Sequence, residues 1–288
     1  MAESGGVGEG PWIVKPAASS QGKGIVICAS TVSLLSCAGG DNEPTPPPSR
    51  GKEQRGVTVP PRARDRSKPT LKLAPNMVVQ QYIATPFLLN GRKFDIRVYC
   101  LVARMQPALL LFHPGYLRLA VDKYSSTDLG NEFAHLTNVC VQKKHPNYLL
   151  HREEHIWSFD QLDAYIARTR KDQVAGVVDR HLVPQMRQIM MHVWHKARGS
   201  LTTVDGAFSL LGFDMLLDAD LKIWLIEVNK NPDLDAHCKL LDHLFPALAG
   251  GSLDIALFAN GHAPRTTTSI PLNDFQVIVD ESDGQPLR

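Results

Sequence analysis

Two strand-length apolar segments near the C-terminal end of the sequence most constrain the fold. LLGFDMLLD at 210–218 and WLIEVN at 224–229 flank a DADL turn and read as an antiparallel hairpin over 207–217 and 221–229. Side chains alternate across a strand, so Glu227 and Asn229 share a face. If Asp218 pairs with Leu221, Asp214 stands opposite Leu225, on the face of Glu227 and one diagonal step from it. The same register puts Trp224, Ile226 and Val228 against a core. A bare carboxylate among Leu, Ile, Phe and Trp is costly to bury, so these acids need a charge partner. Two carboxylates and an amide oxygen, Asp214, Glu227 and Asn229, suit a hard cation such as Mg2+, with phosphate oxygens and water completing an octahedron. The plain alternative is an edge strand with its polar face in water.

The rest of the sequence supplies more strands than helices. WIVKP (12–16) and KGIVI (23–27) read as short strands around a loop, and MVVQQYI (77–83) is a further β-rich run. After an Asn90-Gly91 turn, RKFDIRVYCLVAR (92–104) is a long strand, with shorter ones near 108–112 and 116–121. Ser158 and Gln161 have capping-box spacing for a helix over 159–170. A second helical stretch runs to Arg198, with Pro184 starting or kinking it. Two helical patterns, near 236–248 and 252–259, close the fold. Residues 1–11 are expected to be disordered, and 261–288 reads as a tail. The predicted fold class is α+β, with mostly antiparallel sheets and flanking helices. No internal repeat is present.

Composition sets boundaries on function. The 31 Lys and Arg against 29 Asp and Glu give a net charge of +2, too small for a whole-molecule field that draws nucleic acid or membrane. No window of ~18 consecutive apolar residues marks a spanning helix, and the start MAESGGVGEGP has no signal-peptide pattern. Neither a nucleic-acid nor a membrane partner is expected. Five scattered cysteines with no CxxC pair exclude a zinc ribbon and a disulfide framework, and point to a reducing, cytoplasmic setting. Residues 28–73 break the pattern: Pro, Ser, Gly and Arg dominate, and the tract reads as a disordered insertion. Within it, Arg50–Lys72 carries eight basic and two acidic residues, a net +6 that attracts acidic partners or merely solvates a linker.

Three further groups carry chemistry. In RKFDIRVY the charges Lys93, Asp95 and Arg97 alternate with Phe94, Ile96 and Val98, and Arg118 lies on a nearby strand. A row of cations beside a magnesium site is what phosphoryl transfer requires; a solvated amphipathic strand shows the same alternation. In WIVKPAASSQGKGI a strand ends at Lys15 and a small-residue loop follows, which can lie over a polyphosphate. It is not a Walker loop, since the GxxxxGK[ST] spacing is absent. HLTNVCVQKK (135–144) offers Thr137 and Asn138, with Lys143 and Lys144 adding charge, or is a capped turn. HREEH (151–155) reads as an exposed helical surface and HVWH (192–195) as helix packing, not as metal sites. Cys100 and Cys140 read as small buried hydrophobes.

WIVKPAASSQGKGI, VVQQYI, GRKFDIR, HLTN, GFDMLLD and WLIEVN, in that order, resemble the tubulin–tyrosine-ligase-like family of ATP-grasp amino-acid ligases over 12–27 and 76–260. The resemblance implies one ATP-grasp ligase domain at 12–260, with ATP between two β-rich lobes. ATP would phosphorylate a protein carboxylate, and an amino acid would attack the acyl phosphate. It further implies nucleotide contacts at Lys15, Gln21, Gly22, Gln80, Gln81, Tyr82, Ile83, Lys93, Asp95, Thr137 and Asn138. Arg97 and Arg118 would be catalytic, beside the transferred phosphate and an incoming carboxylate, and Asp214, Glu227 and Asn229 would hold Mg2+. EVNKNPDL resembles the polyglycylase branch, which implies free glycine added to glutamate side chains or glycine chains of tubulin tails or another acidic protein. Such an acceptor implies a place in the cytoplasm, on the cytoskeleton and in cilia. Glutamate ligation and a nucleotide- or tubulin-binding pseudoenzyme are the competing expectations.

Overall fold

Antiparallel pairing builds both parts of the chain in the computed structural model, which describes residues 10–17, 24–30, 76–170, 172–173, 175–262 and 269–282. The expectations for Gln21 and Gly22, for residues 1–9, and for all but residues 28–30 of the 28–73 tract lie outside the described residues. The chain divides into two units, Met1–Ala84 and Thr85–Arg288. In the first, β1 (Trp12–Pro16) lies between β2 (Val26–Cys28) and β3 (Met77–Gln81). Val14 and Cys28 form its small core, with Trp12, Met77 and Val79 packed against them. Alternation puts Lys15 on the opposite face, along with Gln80: Lys15 pairs with Val78, and Gln80 with Ile13.

The second unit rests on one sheet, in the order β6 (Ile156–Trp157), β5 (Leu109–Leu119), β4 (Phe94–Arg104), β7 (Ser209–Leu217) and β8 (Ile223–Asn229). Its central strand β4 is buried from Phe94 to Ala103 and pairs with β5 and β7. Two sequence-read strands near 108–112 and 116–121 are thus one strand with an irregularity. Between Arg97 and Tyr99 the ladder shifts, and Pro114 and Gly115 oppose the single residue Val98. A Cβ on Gly115 would stand 2.0 Å from the Arg97 carbonyl oxygen, so glycine is the residue that lets the bulge close.

Small helices α1 (Glu132–His135) and α2 (Val139–Gln142) follow, then β6 (Ile156–Trp157) on the edge of β5. Helix α3 (Phe159–Thr169) starts with the expected box: Ser158 Oγ accepts from Gln161 N, and Gln161 Oε1 from Ser158 N. A π-helical turn, Val178–Leu182, runs into α4 (Val183–Ala197), with Pro184 in its first turn, where proline is tolerated. One sheet face, with Phe94, Ile96, Val98, Cys100 and Val102, packs against Leu162 and Ile166 of α3 and Met186, Met190 and Trp194 of α4. Within HVWH, Trp194 packs there as core with Val193 beside it, while His192 and His195 are exposed.

The other face carries Tyr99 and Leu101 under Leu241, Phe245, Leu248 and Ile255 of α5 (Lys239–Ala259). Two helical patterns are therefore a single helix. Gly251 does not break it; a Cβ there would press on Asn273 and Phe275, at 3.1 and 3.2 Å. By length and composition α5 could cross a membrane; in this unit one side of it, Leu241, Phe245, Leu248 and Ile255, packs on the sheet, while Leu253 and Leu257 are 50% and 45% exposed. The region read as a tail contributes β9 (Gln276–Asp280), which joins the β5 edge at Leu109–Phe112. Glu281 clasps it there, accepting from the Ala108 amide at 3.0 Å and pairing with Arg198 at 2.8 Å.

Gly115→Ala is expected to lower unfolding free energy by about 1–3 kcal/mol or more, because the new methyl overlaps backbone that cannot yield. Urea unfolding followed by circular dichroism measures it, and a loss within error of zero would refute the packing role assigned to Gly115.

Candidate functional site

The polar end of the α5-side sheet face is a buried charge lattice. Asp95 and Arg97 on β4, Arg118 on β5 and Asp214 on β7 are each no more than 8% exposed, as are Lys93 and Thr137. The alternation in RKFDIRVY is therefore not a solvated amphipathic strand. Pairing explains why these groups meet: Asp95 is the register partner of Arg118, and Arg97 of Asp214. Arg118 donates Nε to Asp95 Oδ1 and Nη2 to Asp95 Oδ2, both at 2.7 Å. The same Nη2 lies 2.9 Å from Asp214 Oδ2. Arg97 holds Asp214 by two bonds, Nε to Oδ1 and Nη2 to Oδ2, the second at 3.0 Å. Thr137 Oγ1 donates to Asp95 Oδ2 at 2.6 Å, and Lys93 Nζ donates to the His135 carbonyl at 3.0 Å.

The electrostatics follow from burial against pairing. Burial pushes the Asp214 carboxyl up, but Arg118 and Arg97 outweigh it and hold it below the usual carboxylate range. Burial also opposes charge on Arg118, yet Asp214 and Asp95 keep its guanidinium firmly protonated. Lys93 goes the other way: burial lowers its pKa to about 8, with Asp95 only partly offsetting that. Both hydrogens of Arg118 Nη2 are committed to aspartates, so its Nε–Nη2 fork is already in use, and the Nη1 edge is what it can offer an incoming carboxylate or phosphate.

The β8 strand (Ile223–Asn229) differs in register from the sequence reading. Leu217 pairs with Ile223, one position from the expected alignment, because the turn closes with Leu221 at φ 62°. A bulge at Ile226 then adds a second residue, and Asp214 faces Glu227 directly, not Leu225. Two one-residue shifts restore the parity, so Asp214, Glu227 and Asn229 do converge. Asn229 Nδ2 lies 3.3 Å from Asp214 Oδ2 and 3.4 Å from Glu227 Oε1. The shift at the turn, not the bulge, overturns the expected core face at Trp224, which shares the Asp214 side and donates Nε1 to Asp218 at 2.7 Å; beyond the bulge Val228 keeps its expected side, opposite Phe213, yet is 38% exposed.

Among the described residues no three His, Cys, Asp or Glu side chains cluster as a metal site. The mixed donor set still fits a hard cation, with Glu227 exposed and Asn229 half-buried beside it. Asp214 Oδ2 accepts three bonds and is saturated, which leaves Oδ1 and Glu227 as donors; Asn229 turns its Nδ2 toward both carboxylates, so its oxygen joins them only when the amide flips.

Asn138 stands outside this lattice, since its Oδ1 caps α2 by accepting from Cys140 N at 2.8 Å. Lys15, Gln80, Gln81, Tyr82 and Ile83 belong to the first unit, where Tyr82 N donates to the Pro11 carbonyl at 2.9 Å. Cys140 is exposed, not buried, and His155, read as surface, is 2% exposed and stacked on Tyr148. Two residues of the site went unread. Tyr116, the partner of Arg97, is buried between both arginines and Phe245; its parity with Arg118 was the available signal. Gly212 lets Pro232 and Arg97 close in, at 3.0 and 3.4 Å from where its Cβ would be.

Carboxylates, guanidinium edges and an amide on an antiparallel sheet are groups whose chemistry can hold phosphate or carboxylate groups and a counter-cation. Residues 3–264 match the Tubulin-tyrosine ligase family. The chain is 36% identical over 91% of its length to "Protein polyglycylase TTLL10" of Macaca fascicularis and to "Inactive polyglycylase TTLL10" of Homo sapiens, covering 40% and 37% of them. It is 32% identical over 78% of its length to "Probable tubulin polyglutamylase TTLL9" of Mus musculus, covering 49% of it. The chain thus spans less than half the length of these relatives. It belongs to the tubulin-tyrosine ligase family, whose fold is ATP-grasp-like.

Removing one partner of a buried pair strands the other charge. Asp95→Ala is expected to cost about 3–5 kcal/mol, and the double variant Asp95→Ala/Arg118→Met distinctly less than the two single losses together. Additive losses in urea melts would show that the pair is not coupled. Lys93 gives a pH signature. Between about 8 and its ordinary 10.5 the unfolded chain holds a proton that the folded one does not. Its contribution is complete above the upper value and lost as pH falls through the lower one. Stability relative to Lys93→Met should therefore rise from pH 8 to pH 10.5, and a flat difference would contradict the burial penalty.

Proposed function

We propose that this chain carries the catalytic part of an ATP-dependent ligase that joins glycine to glutamate side chains or glycine chains of an acidic protein, tubulin tails foremost. The observation that carries the reading is the buried Asp95–Arg118–Asp214–Arg97 lattice bordered by exposed Glu227. It fixes cationic edges in place before any substrate arrives, and so removes a reorganisation cost from the reaction. In this reading an acceptor carboxylate oxygen takes the terminal phosphoryl group of ATP, and ADP leaves. The amino-acid amine then bonds to the acyl carbon, phosphate departs with the broken C–O pair, and the amine loses its proton. Arg97 and Arg118 offer their outer edges to the transferred phosphoryl group. Glu227, Asn229 and Asp214 Oδ1 would hold Mg2+, which when bound neutralises charge on phosphate oxygens. Nucleotide contacts at Lys15, Gln80–Ile83, Lys93 and Thr137 belong to the same proposal, as does a cytoplasmic, cytoskeletal or ciliary setting.

The relatives' names support glycine first and keep two other readings in view. TTLL9 is named for glutamate, and the human TTLL10 is named inactive. Mass spectrometry of acceptor peptides after incubation with ATP and each amino acid separates all three, because glycine and glutamate additions differ in mass and a pseudoenzyme gives neither.

Glu227→Gln tests the metal assignment. It keeps shape at an exposed position, so stability should change by no more than about 0.5 kcal/mol. Ligation should fall about 100-fold or more, since stabilisation of phosphoryl charge is lost. Near wild-type turnover in the variant would remove Glu227 from the site.

A further inference from the structure

The segment from Thr137 through α2 to β6 is fastened to the charge lattice at both ends. At its start, Thr137 donates to Asp95 at 2.6 Å and Asn138 caps α2. At its end, the His155 carbonyl accepts from Leu119 N at 2.8 Å, and Ile156 pairs with Arg118. Gln142 anchors the middle: it is 1% exposed, and its Oε1 accepts from Val121 N at 2.7 Å. Tyr148 and His155, both buried, stack with ring centroids 5.3 Å apart, closing the 3-10 turn Leu149–Glu154.

This hydrogen-bonded frame leaves two leucines pointing outward. Leu149 and Leu150 are 75% and 76% exposed, more than any other large hydrophobic among the described residues. Single exposed leucines are ordinary, but an adjacent pair held out by a buried aromatic stack is not. The ten residues from Lys143 to Arg152, KKHPNYLLHR, include three Lys or Arg and no carboxylate. Lys143 and Lys144 are exposed and stand apart from the lattice. Glu153, next in sequence, lies 4.0 Å from Arg152 and accepts from the Lys239 amide at 3.3 Å, and Asp122 faces His145 at 3.4 Å, so Lys143 and Lys144 carry the loop's outward charge.

We propose that the Lys143–Arg152 loop docks the acceptor polypeptide: an acidic chain that lays an apolar side chain on Leu149 and Leu150 and sets its carboxylates against Lys143 and Lys144. This rests on the ligase reading for its consequence, since a chain held on a loop hung from Asp95 and Arg118 is delivered to those residues. Charge complementarity selects an acidic partner, and the fixed frame lowers the ordering cost of binding. A polypeptide fits better than an anionic membrane because two leucines are too small an apolar face to hold a bilayer surface.

The test uses the full chain, Leu149→Ser/Leu150→Ser and Lys143→Glu/Lys144→Glu, with thermal melts matching wild type as the folding control. Fluorescence anisotropy with a labelled glutamate-rich peptide carrying one phenylalanine should show affinity about tenfold weaker or worse in each variant. The charge-reversed variant should also lose most of the salt dependence. In ligation assays the acceptor KM should rise while kcat and nucleotide affinity hold. Equal peptide affinity in all three proteins, or binding to phosphatidylserine vesicles in place of the peptide, overturns the proposal. Wild-type chain that binds the peptide through these residues yet never ligates would remove the ligase reading and keep the dock. Normal ligation with an unchanged acceptor KM in both variants would do the reverse.

Discussion

Two guanidinium groups held on neighbouring strands of one sheet face repel each other, and the second unit is built around what makes that tolerable. Asp214 answers both Arg97 and Arg118, and Asp95 takes the remaining fork of Arg118. Neither aspartate could be buried alone, and neither arginine could stay charged under α5 without them. The cost of such a network is repaid by the sheet on which it sits, whose opposite face is continuous hydrocarbon under α3 and α4. Apolar burial supplies the cohesion, and the lattice spends part of it to hold charge in a fixed place.

The lattice also explains why the strand irregularities sit where they do. The Gly115 bulge beside Arg97 lets Tyr116 pair with that arginine while Arg118 stays opposite Asp95. The Ile226 bulge in β8 brings Glu227 level with Asp214 and leaves its carboxylate at the solvent boundary. A regular ladder would present these groups on alternate faces. Departures from regular pairing are here the means by which two carboxylates and two guanidiniums are aimed at one spot.

What could be read in the sequence was local or periodic. The Ser158–Gln161 box depends on four consecutive residues, and the RKFDIR alternation announces its own two faces. The hairpin acids were found to converge, but through a register that does not occur, since a bulge leaves no side-chain signature. Remote contacts were the least legible. Strand β9 pairs with residues more than 160 positions earlier, and a five-residue QVIVD run gives no hint of that partner. The patterns near 236–248 and 252–259 read as two because the phenyl ring that calls for Gly251, Phe275, lies outside the helix that joins them. His155 and Cys140 exchanged their expected environments for the same reason: tertiary packing, not local pattern, decides burial.

The outer edge of β5 is shared, with β6 covering Leu117–Arg118 and β9 covering Leu109–Phe112. The stretch beneath β9 is entirely hydrophobic and buried on both faces. Without the returning strand it would be a row of unpaired amides and carbonyls on a flat greasy ribbon, which is the template for edge-to-edge association between chains. Strand β9 thus acts as a lid on the sheet's stickiest seam, and a cut anywhere ahead of it would decide whether that seam stays closed.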